Sequence, residues 1–252
     1  MEEQIKAATD WVKATGVRGC VTGSSLLGYF PDSKQDIDVF LYNTKSFTEL
    51  FYKMYHDPMF TIVDKLELWK ADQFRTIPEK TFSKKFGLTT IKFMYNTCVP
   101  VNIISKQNAT DIFSVLSSFD MDIICKGYDI ETKQTLNLSE NLPDKAATWN
   151  KWNTSYSSDS IWDVSRILRQ MTRCFKYHDR GYNTDAVVVK YIELLDQIKN
   201  YENIFSSVGF DERLEVTKSN TKIVKKICQT WLKTHKISDE SLELLTLKIK
   251  EI

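Results

Sequence analysis

The sequence predicts an α+β fold: an N-terminal mixed sheet with helices, followed by a C-terminal all-α domain. Three observations carry this. Strand-length apolar runs alternate with amphipathic helical ones up to about residue 126. Beyond about residue 128 the periodicity is helical. A 252-residue chain with 42% hydrophobic residues also has ample apolar surface for a core. The division is expected at 130/131, giving an α/β domain over 1–130 and a helical domain over 131–252.

Residues 4–15 read as an amphipathic helix, with Ile5, Ala8, Trp11 and Val12 at helical spacing. Val17 to Thr22 is a β-type run that ends at Gly23-Ser24, and Asp36 to Tyr42 is a second strand. Asn43-Thr44 is a cap for a helix over roughly 45–56. A strand at Phe60–Val63 and a helical patch near 65–74 follow. Leu88–Tyr95 and Cys98–Ile104 flank Asn96-Thr97 as a hairpin. A helix near 109–117 leads into a strand over Phe119–Lys126, and the polar stretch Glu131–Asn141 reads as a connector. Four helices complete the chain: Trp162–Tyr177, Asp185–Lys199, Ile223–Thr234 and Ser241–Ile252.

Composition excludes several classes. With 34 basic and 33 acidic side chains, the chain lacks the basic excess of a nucleic-acid-coating protein. Only 8 Gly and 5 Pro argue against disorder. No apolar run approaches the ~18 residues of a membrane span, and the acidic start Met1-Glu2-Glu3-Gln4 is unlike a signal peptide. Five dispersed cysteines without a CxxC pair suit buried thiols in a reducing, cytoplasmic setting. With His56, His178 and His235 equally scattered, no zinc site is expected. Charge differs along the chain: residues 1–150 hold 17 basic and 19 acidic side chains, residues 151–252 hold 17 and 14.

The chemistry concentrates in Val21-Thr22-Gly23-Ser24-Ser25-Leu26-Leu27-Gly28, a polar loop, and Asp36-Ile37-Asp38-Val39-Phe40. Side chains alternate along a strand, so Asp36 and Asp38 share one face. Two carboxylates so placed repel unless something positive lies between them, and a divalent cation with hard oxygen ligands fits. Gly23 lets backbone approach a ligand closely; freed N–H groups with the Ser24 and Ser25 hydroxyls can hold a phosphate. Taken alone, each motif also reads as a solvated strand face or a plain turn. In this order and spacing they are the parts of phosphoryl or nucleotidyl transfer.

A Gly-Ser turn followed by a D-x-D strand resembles the DNA-polymerase-β-type nucleotidyltransferase superfamily. Phe86-Gly87-Leu88-Thr89-Thr90-Ile91 with Val99-Pro100-Val101-Asn102-Ile103-Ile104 resembles the hairpin-and-acidic-strand segment of CCA-adding enzymes and poly(A) polymerases. Asp163-Val164-Ser165-Arg166-Ile167-Leu168-Arg169, running on to Arg173 and Phe175, resembles their arginine-bearing helix. Small viral and microbial proteins share the layout. The resemblance covers about residues 17–180. It implies a nucleotidyltransferase-like sheet, Mg²⁺ or Mn²⁺ (two ions if active) on Asp36 and Asp38, an NTP such as ATP, and an RNA, tRNA or small-molecule hydroxyl acceptor. Active members of the superfamily carry a third carboxylate where this sequence has Asn102, and an amide is no base at neutral pH. Asp120 and Asp122, read as a one-face pair on a strand, are possible substitutes or else edge-solubilising residues. The alternative is a catalytically degenerate fold that binds nucleotide or nucleic acid, or serves in assembly in a viral setting.

Arg166, Arg169, Arg173, Lys176 and Arg180 follow spacings of 3, 4, 3 and 4 on the next helix and are expected on one face. Arginine forks onto phosphate, so this stripe suits a triphosphate or an RNA backbone; the plain reading is a solvated face. Trp149, Trp152, Tyr156 and Trp162 would stack a base or pack between the domains, and Tyr177 and Tyr182 would stack or pack.

Overall fold

A computed structural model describes residues 1–28, 30, 35–63, 88–106, 109–140, 142–153, 161–197 and 211–251. They form two compact units, Met1–Glu140 and Asn141–Ile252. The expected helical patch at 65–74 and the Phe86-Gly87 segment lie outside the described residues.

The first unit opens with α1 (Glu2–Ala14), whose buried face is Ile5, Ala8, Thr9 and Val12. Glu2 and Glu3 in its first turn and Lys13 in its last complement the helix dipole. Strand β1 (Gly19–Thr22) is wholly buried and runs into a single 3₁₀ turn, Gly23–Leu26. β2 (Ile37–Leu41) and α2 (Thr44–Tyr55) follow, the Asn43 side chain capping α2 by accepting from the Ser46 N–H at 2.8 Å. Next come β3 (Phe60–Ile62), β4 (Leu88–Tyr95) and β5 (Val99–Lys106). The short helix α3 (Ile112–Leu116) is fixed by an Asp111–Ser114 capping box. β6 (Lys126–Asp129) and β7 (Thr135–Asn137) end the unit's sheet.

The seven strands lie in the order β3-β4-β5-β2-β1-β6-β7. Only β2–β5 is parallel; the other five pairs are antiparallel. The two faces of the sheet differ. On one, Val21, Ile37, Val39, Leu41, Ile91, Phe93, Val101 and Ile103 pack with α1 and α2 in the main core. On the other, Cys20, Phe40, Ile104, Ala109 and Val115 form a smaller cluster with Ile112 and Phe119, and the Phe40 and Phe119 rings are 5.6 Å apart. That smaller cluster covers residues 20, 40 and 104. The positions one step along each strand on the same face, Thr22, Asp38 and Asn102, carry polar groups instead.

The expected strand over Phe119–Lys126 is not formed. Asp122–Ile124 is a 3₁₀ turn closed by the Cys125 N–H donating to the Asp122 carbonyl at 2.8 Å, and the strand begins at Lys126. Apolar alternation fails there because Ile123, Ile124 and Cys125 are all buried in succession. The stretch read as a connector contains β7, which pairs with β6.

Among the described residues, the second unit contains the helices α4 (Ile161–Asp179), α5 (Asp185–Gln197), α6 (Asp211–Thr234) and α7 (Asp239–Glu251). Its core joins Ile167, Met171, Cys174 and Phe175 of α4 with Val188 and Tyr191 of α5 and Val224, Cys228 and Trp231 of α6. α4 ends in a Schellman motif. Gly181 has φ of +83°, its N–H donates to the His178 carbonyl at 2.8 Å, and the Tyr182 N–H donates to the Tyr177 carbonyl at 3.0 Å.

Two thiols give the fold an alkaline limit. Burial pushes Cys20 and Cys228 up to about 12 from 9.0. The Tyr42 phenol, which donates to the Asp129 carboxylate at 2.7 Å, is also held above the ordinary tyrosine range, first by burial and then by Cys20. These groups stay protonated in the folded chain after the unfolded chain has begun to lose its protons. Their stabilisation is therefore complete below about pH 9 and is lost as pH rises towards 12, at about 1.4 kcal/mol per pH unit for each thiol. Urea midpoints should hold from pH 7 to 8.5 and fall between pH 9.5 and 11, with Cys20→Ala flattening that decline.

Candidate active site

Pairing places Asp38 of β2 between Thr22 of β1 and Asn102 of β5, and Asn102 in turn beside Lys92 of β4. Directly paired residues project from the same face, so Lys92, Asn102, Asp38 and Thr22 form one row across four strands. Asp36, just ahead of β2, lies two residues back and on the same side.

Asn102 is buried, and its Nδ2 donates to Asp36 Oδ2 at 3.0 Å and to Asp38 Oδ1 at 2.9 Å. One amide nitrogen thus bridges two half-buried carboxylates and offsets part of their repulsion with its two hydrogens. Which amide atom faces the carboxylates follows from this hydrogen-bonding pattern; a half-turn about the Cβ–Cγ bond would present Oδ1 instead.

Gly23 begins the 3₁₀ turn against this pair. Its φ is +82°, and a Cβ there would stand 3.1 Å from Asp38 Oδ2. A side chain would meet both left-handed strain and the carboxylate. Gly23→Ala should cost about 1–2 kcal/mol of stability in a urea titration, and it should displace the Asp38 carboxylate as well. Ser24 is buried, and Ser25 Oγ donates to the Thr22 carbonyl at 3.3 Å. Thr22 Oγ1, fully buried in the same row, has no hydrogen-bond partner among the described residues.

Gln35 is a residue the sequence reading missed. It is buried, and its Nε2 donates to the carbonyls of Ser24 (2.8 Å) and Gly28 (2.6 Å), while its Oε1 accepts from the Phe30 N–H at 3.3 Å. It ties the Gly23–Gly28 loop to the start of β2 and so fixes Gly23 relative to Asp36 and Asp38. No motif marks it, because its role is set by a loop closing on itself. Lys92 was also missed, although apolar Ile91, Phe93 and Tyr95 place it on the opposite face of β4 from the main core.

Asp120 and Asp122 are not a one-face strand pair. Both are buried around a 3₁₀ turn, and Asp122 Oδ2 accepts from Ser139 Oγ at 3.5 Å and the Glu140 N–H at 3.4 Å. Asp122 thereby holds the segment after β7.

The donor set suits one hard divalent cation: two carboxylates on one face, an amide that can turn its oxygen to them, and a glycine that leaves room beside Asp38. Among the described residues there is no group of three His, Cys, Asp or Glu arranged to hold a metal ion.

In the second unit, the side chains of Arg166 and Arg169 lie outside the described residues. Arg173 is half-buried and its Nη1 donates to Gln170 Oε1, while Lys176 is exposed. Arg180 leaves the stripe. It follows the last residue of α4, and its guanidinium lies over the Tyr177 ring at 5.4 Å. Tyr177 is buried edge-on to Tyr182, and Trp149 is edge-on to Tyr191, so these rings pack within the unit. Trp152 is exposed; Tyr156 and the side chain of Trp162 lie outside the described residues. The histidines scattered in sequence meet in part. His178 and His235 stack with centroids 5.1 Å apart, and His235 Nε2 is 3.0 Å from the Asp185 carboxylate.

No helix among the described residues is long and apolar enough to cross a membrane. No family model matches the chain, and no curated protein matches it. Among solved structures it is similar to the Thermotoga maritima CCA-adding enzyme complexed with tRNA, at 13% identity and a TM-score of 0.43. The match covers 95% of this chain and 65% of that one.

Proposed function

We propose that this chain is a nucleotidyltransferase: it holds the triphosphate of an NTP at Asp36 and Asp38 and moves the nucleoside monophosphate to a hydroxyl acceptor, an RNA end or a small molecule. The observation that carries this is the convergence of Gly23, Asp36, Asp38 and Asn102 at one end of the sheet face. Two half-buried carboxylates stand there together, and Gly23 lies against one of them without a side chain.

A bound Mg²⁺ or Mn²⁺ would neutralise triphosphate charge and polarise the reacting phosphate. Asp36 and Asp38 would hold it, with the Asn102 amide turned to offer Oδ1. Gly23 and Ser24 would let the phosphates approach the backbone closely. The acceptor oxygen then bonds to the α-phosphorus, the bond to the bridging oxygen breaks, and pyrophosphate leaves with that electron pair. Asn102 cannot take the acceptor's proton, which passes to water. On α4, the exposed Lys176 would meet an RNA phosphate.

One observation favours a second reading, binding without transfer: the position expected to bear a third carboxylate carries an amide already engaged by both acids. Incubating the full chain with Mg²⁺, each α-labelled NTP and a pool of short RNAs and tRNA separates the two. Labelled acceptor with released pyrophosphate supports transfer. Equilibrium binding of NTP with no label transferred supports the second reading, and absence of both sinks the site assignment.

A further inference from the structure

Strand β1 ends in a side chain that the packing leaves unanswered. Thr22 is fully buried, and its Oγ1 has no hydrogen-bond partner among the described residues. A hydroxyl taken out of water without a partner lowers stability, and a valine of the same shape would avoid that loss while suiting a strand as well. The neighbouring buried amides are answered: Gln35 Nε2 donates to two carbonyls and Asn102 Nδ2 to two carboxylates. An unanswered group beside a candidate site calls for an explanation.

The register sets Thr22 directly opposite Asp38 on the same face. Asp38 Oδ1 accepts from Asn102, on the β5 side. Asp38 Oδ2 lies towards β1, 3.1 Å from the place a Cβ on Gly23 would take, and Gly23 is the residue after Thr22. The Thr22 methyl is on the β6 side, 3.3 Å from where a Cβ on Gly127 would stand. Directly opposed Cβ atoms are about 4.5–5.5 Å apart. A hydroxyl one bond beyond the first and a carboxylate oxygen two bonds beyond the second can close that gap to a hydrogen bond by turning about side-chain bonds.

We infer that Thr22 is a positioning residue for Asp38: its hydroxyl donates to Asp38 Oδ2 once the Asn102 amide turns to a cation. This rests on the metal–triphosphate reading above. The two donors alternate. Without a cation, Asn102 Nδ2 holds both carboxylates, and the Thr22 hydroxyl stays unengaged. With one, the amide nitrogen turns away, and the Thr22 hydroxyl gives Asp38 a neutral donor in its place. Such a bond favours the charged carboxylate and fixes its direction, as hydrogen bonds behind a metal ligand do. Thr22 is fully buried, so it acts through Asp38 and not on the nucleotide itself.

The test compares the full chain with Thr22→Val and Thr22→Ser. Each is titrated calorimetrically with Mn²⁺ and with each Mg²⁺–NTP, beside urea titrations without metal or nucleotide. Thr22→Val should unfold at or above the parent's urea midpoint and bind Mg²⁺–NTP about tenfold more weakly. Thr22→Ser, which keeps the hydroxyl, should bind as the parent does. A hydroxyl with a purely structural role would not move stability and binding in opposite directions.

A folded Thr22→Val with the parent's affinity overturns the inference, as does a Thr22→Ser that loses as much affinity as Thr22→Val. A Thr22→Val that unfolds at lower urea, or does not fold, also overturns it, because the hydroxyl then serves the fold. Each of these leaves nucleotide binding standing, since that is read from the parent's own titration. A parent chain that binds neither Mn²⁺ nor any Mg²⁺–NTP overturns both readings.

Discussion

Asp38→Asn should weaken binding of a metal–triphosphate complex by roughly 10²–10³-fold without lowering the unfolding midpoint. The two halves of this result have one cause. In the folded chain the neutral Asn102 amide bridges Asp36 and Asp38 and offsets only part of their mutual repulsion. An asparagine at 38 keeps an oxygen for Asn102 Nδ2 to donate to and removes one charge of the pair, so stability holds or rises. A cation ligand loses its charge in the same step, and with it most of the attraction for a hard ion. Isothermal titration with Mg²⁺–ATP, run beside a thermal melt, reads both quantities. If Asp38 were only a solvated strand residue, affinity would not move; if it were a structural residue, the melt would fall. This opposition of stability and binding separates a functional carboxylate from either alternative.

Phe93→Ala should cost about 3–5 kcal/mol in the first unit, enough to bring it near unfolding. Phe93 is fully buried on β4, edge-on to Phe51 of α2 at 5.7 Å and to Phe60 of β3 at 6.4 Å. Truncation removes those contacts and opens a cavity between the sheet and its helix layer, where close packing permits only partial collapse. By contrast, Ile91→Val on the same strand and face removes one methylene and should cost about 0.5–1.5 kcal/mol. Urea titrations of both variants against the parent, followed by circular dichroism, check the size and the order. Equal costs would place Phe93 outside the rigid core.

Much of this architecture was legible because it depends on local periodicity. Ile91, Phe93 and Tyr95 alternate with Lys92 and Met94, so β4 had to be a strand with one buried face. Asn43 preceding a helical pattern made the start of α2 plain, and the Asn43 cap forms as expected. The failure at Phe119–Lys126 is instructive. Asp120 and Asp122 matched a two-residue period, but three successive buried residues, Ile123, Ile124 and Cys125, need a turn rather than a pleat. β7 went unseen because the exposed Thr135 and Asn137 lend a short edge strand no apolar signal.

Part of the candidate site was legible for the same reason. Two aspartates separated by one residue on a strand must share a face, whatever the strand pairs with, and a glycine closing the preceding strand announces a tight turn. These are properties of neighbouring residues, fixed by backbone geometry. Pairing between distant strands is another matter. That Asn102 sits directly beside Asp38 and bridges it to Asp36 depends on the parallel register of β2 and β5. That Lys92 joins the row depends on the hairpin. Pairing Tyr95 with Cys98 across a two-residue turn would have set Lys92 against Val101. The actual loop is one residue longer, Tyr95 pairs with Val99, and Lys92 faces Asn102. The sequence by itself determined the two layers of the sheet unit, the helical unit and the carboxylate pair, because each follows from periodicity within one segment. Only the tertiary structure decided the partners of that pair, since register between strands is settled by the apolar face as a whole and by loop lengths that no single segment encodes.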